Sequence, residues 1–580
     1  MLKKAIRLSA VVITISILLA CQSVSSSSIL QAQAPVTASA AVTFPVTTSP
    51  TATTTNALTA TASITPSPSP STTPLSLGFW TTGDFHSHTW LSDGKHTQAE
   101  LLNAGFNQFG LDWMANSEHG GSFGYDPDGV PWDDPSLINK VKILGDPTTY
   151  KDGKKVSHLA MWRWQSLLDF SWPLLFGGKD GAGNIQPGLQ SQYPNKVLIQ
   201  GLEWNVPGYE HASVGIINRT SGVVISNFEY QFDASDTDTS RSAELPKHNI
   251  TPADALFAVN FLETNFPTNS YVVINHPSRE QTYSAADIRD LINAGPDIMI
   301  GLEGMPGHQK ETYRGSYNIN FYLDPNHKVL DQDKTDQART YGGADIMLAK
   351  VGGVMDSLWG EGRRFWVFDN SDFHGSASNG DFWPGEYEKD HVYVPELNQS
   401  GILNGMRSGD IFITHGDLIN ALDFKAASLG NSRTMGQELE TNKGSDVTVT
   451  IRFKSPDKNN NGDRPVVDHI DLIMGDVNEI IPPGSPNYLS ATNPSTRVIA
   501  TFSIKDWKTD PEGYQTMTYT LPKLQQNIYL RLRGTNLGMN VKNETENGNP
   551  LVDDLMGINN QAKAYTDLWF YSNPIFVNIK

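Results

Sequence analysis

One pattern constrains this chain more than any bulk property. Short apolar runs recur, and each ends, or opens, on a histidine or a carboxylate. Phe79 to Phe85 reads as a strand that delivers His86-Ser87-His88. In an extended segment residues i and i+2 share a face, so two imidazoles can converge on one cation. Leu111 to Ala115 leads into Glu118-His119, and Val197 to Leu202 leads into Glu203. Glu210-His211 opens the run Ala212 to Ile217, and Tyr271 to Ile274 ends in Asn275-His276. Ile298 to Ile300 runs on to Glu303, and Phe365 to Phe368 ends near Asp372-Phe373-His374. Helical segments lie between them. Thr97 to Glu100 is a capping box. Thr251-Pro252 puts proline at the favoured first position of a second helix, Ser284 to Ala294 reads as a third, and Met347 to Trp359 contains part of a fourth. Strands that alternate with helices and end in ligand-type residues predict an α/β barrel with its chemistry at the strand ends.

Asp84-Phe85-His86-Ser87-His88-Thr89, Ser92-Asp93-Gly94 and Glu118-His119 together resemble the opening of the PHP (polymerase and histidinol phosphatase) family. That family usually has Asp-His where this chain has Glu118-His119, and the histidine is kept. The resemblance implies a distorted (β/α)7 barrel holding up to three divalent metal ions. It assigns His86, His88, Glu203 and Asp372 to the first ion, and Glu203, His211 and His276 to the second. It assigns Asp93, His119 and His374 to the third. The donor chemistry agrees, because a carboxylate such as Glu203 can bridge two cations whereas one imidazole nitrogen cannot. Mixed nitrogen and oxygen ligands suit Zn, Mn or Fe. Two such ions can share a hydroxide that attacks phosphorus. Glu203 and Asp372 are therefore expected in the catalytic machinery, and Arg279 is the candidate cation for the phosphoryl oxygens. Glu303 is expected to orient a ligand imidazole, and His308 to border the cleft. His96, His158, His248, His327, His391, His415 and His469 lack strand-end placement and read as structural or surface residues.

The remaining chain has a different grammar. Lys3, Lys4 and Arg7 precede an apolar run to Ala20, and Leu18-Leu19-Ala20-Cys21 resembles a bacterial lipobox. Cys21 is the only cysteine in the chain, which excludes internal disulfides and thiolate metal sites. Residues 1–21 are expected to be a lipoprotein signal, and Cys21 to carry lipid that anchors an exported protein to a bacterial envelope membrane. Residues 22–76 are rich in Ser, Thr, Ala and Pro and read as a tether. Residues 77–425 form the expected barrel, with an insertion from about 121 to 195 that carries Trp132, Trp162, Trp164 and Trp172. Residues 426–580 hold short alternating runs, such as Val447 to Phe453 and Asn527 to Arg533, and predict an antiparallel β-sandwich. Asp457 to Asp463 has oxygen donors at alternate positions, as a calcium loop does, but Pro465 interrupts it and a polar turn is favoured.

With 43 basic against 62 acidic residues, the formal charge of −19 excludes an electrostatic footprint for nucleic acid. No Gly-x-Ser-x-Gly elbow marks a serine hydrolase. The expected activity is metal-dependent hydrolysis of a small-molecule phosphoester. The alternatives are hydrolysis of another ester or amide, or a non-catalytic metal-stabilised binding protein.

Overall fold

The computed structural model describes residues 78–141, 147–149, 155–317, 332–375, 381–553 and 561–580. The expected signal, Cys21, the tether and His327 lie outside them, and the side chain of His158 is not among those described. Among the described residues no helix is long and apolar enough to cross a membrane.

Seven strands carry the expected strand-end residues. They are β1 (Phe79–Asp84), β2 (Trp113–Asn116), β3 (Val197–Trp204), β4 (Ala212–Ile216), β5 (Ser270–Ile274), β6 (Met299–Met305) and β7 (Trp366–Asp369). They lie side by side in chain order. β1, β2 and β3 are parallel, as are β5, β6 and β7. β4 runs against both of its neighbours. The alternation of strands and helices expected of a distorted barrel breaks at this point. β4 follows β3 after a short turn with no helix between them, so it returns antiparallel, as a hairpin must. The ladder does not close on itself either, because the second edge of β1 is taken by β8 (Glu388–Val394), which pairs antiparallel with it. The run nonetheless curls. Asp369 N–H of β7 donates to Asp390 Oδ1 of β8 (3.0 Å), and His88 N–H donates to Phe373 O (2.8 Å). The exit of β7 thus lies against the exit of β1.

The helices pack where their caps predict. α1 (Gln98–Leu102) starts at a complete Thr97–Glu100 capping box and continues as a π-helical turn through Gln108. α2 (Val223–Phe232) follows β4. α3 (Pro252–Asn265) and α4 (Ala285–Ala294) begin at capping boxes on Thr251 and Ser284. The expected helix from Met347 is two short pieces, Ile346–Ala349 and Val354–Trp359, broken where Gly352 adopts φ 79°. Strand residues such as Ile199, Val214, Val272 and Leu302 are buried with Ala258, Leu262 and Ile288 of the helices in one cluster. Burial of each of the valine, leucine and isoleucine side chains among them stabilises the fold by about 1.5–3 kcal/mol.

The same large sheet continues through β9 (Ile411–His415) into the C-terminal strands Trp569–Ser572, Ile528–Thr535, His469–Asp476 and Arg497–Ser503. A second sheet of five strands is centred on Ala421–Ser428, Val447–Lys454 and Gln515–Leu521. Val447 to Lys454 alternates buried and exposed, as its sequence predicts. Its inward residues share one apolar cluster with Ile470, Leu472, Leu530 and Leu532 of the large sheet. The 457–463 segment is a polar turn. Asn459 turns its side-chain oxygen inward to accept from Asn461 N (3.1 Å) and Asp463 N (2.9 Å).

Candidate metal centre

Glu203 is the hub. It lies inside β3, and its N–H is held by Ser117 O and Glu118 O, each at 3.1 Å. Its Oε1 is 3.1 Å from His86 Nε2, 2.9 Å from His211 Nδ1 and 3.2 Å from His276 Nε2. Its Oε2 is 3.2 Å from His88 Nε2 and 2.9 Å from His119 Nδ1. The two oxygens of one carboxylate therefore face two separate sets of imidazoles.

Asp372 and Asp93 complete the cluster. Asp372 Oδ1 is 3.1 Å from His86 Nε2 and 3.2 Å from His88 Nε2. Asp93 Oδ1 is 3.3 Å from His374 Nε2 and 3.7 Å from His119 Nε2. All nine residues expected from the sequence thus meet in one place. His86, His88, Glu203 and Asp372 offer ligand atoms that lie within 4.8 Å of one another, which is the first expected group. The expected third group, Asp93, His119 and His374, forms a second such set together with His88. The expected middle group differs. His119, not His276, joins Glu203 and His211 within that radius, and His276 approaches the Oε1 side of Glu203. His96, His248, His391, His415 and His469 join none of these sets.

The local chain explains the convergence. β1, β3, β5 and β7 bring their C-terminal ends together because they run in one direction. β4 runs the other way, so its beginning lies at that same end, and His211 therefore precedes its strand. His276 (φ 29°), His308 (φ 57°) and Asp372 (φ 46°) all adopt left-handed backbone. Non-glycine residues enter that region at a cost, and such strain gathers at functional sites.

Surrounding groups fix the ring orientations. Glu303 Oε1 sits 2.7 Å from His86 Nδ1 and accepts from Asn370 Nδ2 (3.2 Å), while Oε2 accepts from His276 N (3.0 Å). Asn275 Nδ2 donates to Glu203 Oε1 (3.1 Å). Glu118 joins none of these sets and accepts from Thr89 Oγ1, Ser92 Oγ and Asn116 Nδ2. It pins the turn that leads to Asp93. Arg163, from the insertion, donates to His119 O (2.8 Å). Trp132 of the same insertion is buried against Phe170, with ring centroids 4.8 Å apart.

Arg279 borders the cluster. Its Nε and Nη2 donate to Glu210 Oε1 (3.0 and 2.8 Å), and its Nη1 is 3.8 Å from Asp372 Oδ2. His308 lies closer than the sequence indicated. Its Nε2 is 2.9 Å from Asp372 Oδ2 and its Nδ1 is 2.8 Å from Asp381 Oδ1. Asn275 and Asp381 escaped the sequence reading. Adjacency to His276 marks Asn275, but no strand-end pattern marks Asp381.

The site is buried and charge-rich. Burial alone would lower the His86 pKa, but the facing Asp372, Glu203 and Glu303 raise it well above its ordinary value. Burial also opposes ionisation of Asp372, yet His86 and His308 hold its carboxyl well below the usual range. Burial, with Arg279 nearby, lowers His276 to about 3 and keeps it a neutral, ligand-competent imidazole.

The residues fit divalent cations. Among the described residues, His88 Nε2, Asp93 Oδ1, His119 Nδ1, Glu203 Oε2 and Asp372 Oδ1 are buried and, though close to one another, make no hydrogen bond of normal geometry. A buried polar atom without a partner costs roughly 1–3 kcal/mol, so five in one cluster call for a shared counter-charge. Nitrogen and oxygen donors with no thiolate match the borderline and hard metals.

The fold and this cluster define a mixed α/β protein with a buried cluster of histidines and carboxylates that could hold divalent metal ions. No family model matches the sequence, and no curated protein matches it. A similar solved structure is a two-domain protein from Bacteroides vulgatus ATCC 8482 that contains a predicted PHP-like metal-dependent phosphoesterase. The two are 10% identical, the alignment covers 82% of this chain and 94% of that one, and the TM-score is 0.30.

Proposed function

We propose that the chain is a metal-dependent hydrolase that cleaves phosphoester bonds of a small molecule at a centre of up to three Zn, Mn or Fe ions. One observation carries the reading: the two-sided contact of Glu203, with three imidazoles on Oε1 and two on Oε2. A carboxylate placed so can bridge two cations. His86, His88, Glu203 and Asp372 would hold one ion, and Asp93, His119 and His374 another. Glu203 and His211, with His276 beside them, would hold the last. Bound cations would supply Lewis acidity, activating water and offsetting charge on phosphorus.

The chain's own groups do the rest. Arg279 stands at the edge of the centre, where it can bind an anionic phosphoryl oxygen. Glu210 fixes its guanidinium by two hydrogen bonds to one oxygen. Asn275 holds Glu203, and Glu303 holds His86 and the backbone of His276.

In this reading the seven curled strands are a distorted barrel spanning residues 77–425, and the two sheets of residues 426–580 are a sandwich. The same proposal places the protein outside the cytoplasm of a bacterium, anchored through lipid on Cys21. Membrane partitioning unchanged by Cys21→Ser would overturn the anchor.

The test uses protein that begins near Ser76. Elemental analysis counts bound metal, and mono- and diester substrates are assayed with Mn or Zn. Glu203→Ala should lose metal and at least ~100-fold in activity. Undiminished hydrolysis by that variant rejects the bridging assignment.

A further inference from the structure

Three charged residues outside the metal centre form one connected network with it. Asp372 Oδ2 faces His308 Nε2 at 2.9 Å. His308 sits on a tight loop after β6. Gly307 permits that loop, since a Cβ there would lie 2.0 Å from Ser371 O. The loop closes on itself when Glu311 N (3.1 Å) and Gly315 N (3.3 Å) donate to His308 O. It is then locked from within by Gln309, fully buried, whose Nε2 donates to Pro306 O (2.6 Å) and Gly343 O (3.0 Å).

Gln309 is held in turn by a cation. Arg314 Nε donates to Gln309 Oε1 (2.6 Å). The rest of the Arg314 fork points into the C-terminal part of the chain. Nη1 donates to Asp567 Oδ2 (2.5 Å) and lies 3.5 Å from Asp553 Oδ1, and Nη2 donates to Asp567 O (3.1 Å) and, outside that part, to Tyr387 Oη (3.0 Å). Asp553 also accepts from Thr340 Oγ1 (2.6 Å), Gly342 N (3.1 Å) and Gly343 N (2.9 Å). Asp567 Oδ1 is fixed by Trp569 Nε1 (2.7 Å), at the start of a strand of the large sheet. Every member from His308 to Asp567 is buried.

We propose that Asp567 and Asp553 are positioning residues for the metal centre: through Arg314 and Gln309 they set the His308 loop, and His308 sets Asp372. The C-terminal β region is then a working part of the hydrolase, not an appended module. The inference rests on the metal-centre reading above. Its physical basis is the fork of Arg314, which satisfies Gln309 and Asp567 at once. A lysine could not reproduce that geometry. Asp372 adopts left-handed backbone and depends on outside contacts to hold its orientation.

The experiment separates positioning from mere stability. Asp567→Asn breaks a buried ion pair in the network. Asp471→Asn breaks an equally buried one, since Asp471 Oδ2 accepts from Arg533 Nε (3.0 Å) and Nη2 (2.9 Å) within the C-terminal sheet. Both variants are expected to lower the unfolding midpoint. Only Asp567→Asn should weaken metal retention against a chelator, by ~10-fold or more, and alter the visible absorption spectrum of the cobalt-loaded protein. Gln309→Met, which leaves the C-terminal charges intact, should shift the same two readouts in the same direction, and it decides the matter if Asp567→Asn does not fold. Equal effects of Asp567→Asn and Asp471→Asn, or native metal affinity in folded Gln309→Met, overturn the proposal while the metal centre stands. A parent protein that binds no divalent metal takes both readings down.

Discussion

Glu303 offers the sharpest quantitative test of the proposed centre, because it touches candidate ligand residues and is not itself in one of their sets. It accepts three hydrogen bonds: Oε1 takes His86 Nδ1 and Asn370 Nδ2, and Oε2 takes the N–H of His276. Glu303→Gln can keep the two bonds at Oε1 by presenting its amide oxygen there. Its amide nitrogen then meets the His276 N–H donor to donor, and the charge that raises the basicity of His86 is gone. Groups that orient a ligand histidine are worth roughly 10–100-fold in metal affinity. The glutamine keeps most of the geometry, so about tenfold is expected, or about 1.4 kcal/mol. Glu303→Ala loses all three bonds and should approach ~100-fold. Chelator competition with Zn or Mn measures both, with thermal unfolding as the control for folding. A folded Glu303→Ala protein with native affinity would show that Glu303 does not orient a metal-binding His86.

Two further outcomes follow from the structure. Arg279→Ala should lower kcat/KM for a phosphoester by roughly 10²–10³ with metal content unchanged; loss of metal instead would make Arg279 a structural partner of Glu210. Glu388 is fully buried, and neither of its carboxylate oxygens has a hydrogen-bond partner among the described residues. Burial, with Asp84 nearby, pushes its carboxyl well above the ordinary 4.5. Stability from such a group is fully present below pH 4.5 and is lost as pH rises, because the unfolded chain ionises first. Glu388→Gln should therefore gain unfolding temperature relative to the parent as pH goes from 5 to 8, measured on chelated protein. A constant offset across that range would refute this.

The sequence shows those features whose cause is local. Capping boxes at Thr97, Thr251 and Ser284 mark helix starts, because the cap and its partner are three residues apart. Apolar runs mark β3, β5 and β7, because a strand buried on both faces is apolar throughout. β8 is invisible to such reasoning. Glu388, Asp390 and His391 give it a polar composition, yet all three are buried once it takes the free edge of β1. Asp381 and the Arg314 network are equally hidden, since their meaning lies in partners found far along the chain. His308 reads from sequence only as a residue bordering the cleft, because nothing local reveals that the turn after β6 folds back onto Asp372.

The reversed β4 shows what the strand-end pattern measures. Four of the segments place their histidines or acids after a strand and Glu203 lies near the end of β3, whereas His211 comes before a strand. Read as a rule about strand ends, His211 is an exception. Read as a rule about one rim of the curled sheet, it is not, because reversal of a strand exchanges its ends. The hairpin from β3 to β4 keeps Glu203 and His211 on that rim within 2.9 Å of each other, eight residues apart. A helical crossover between these strands would make β4 parallel and carry His211 to the opposite rim. The short connection is thus itself a condition for the contact between Glu203 Oε1 and His211.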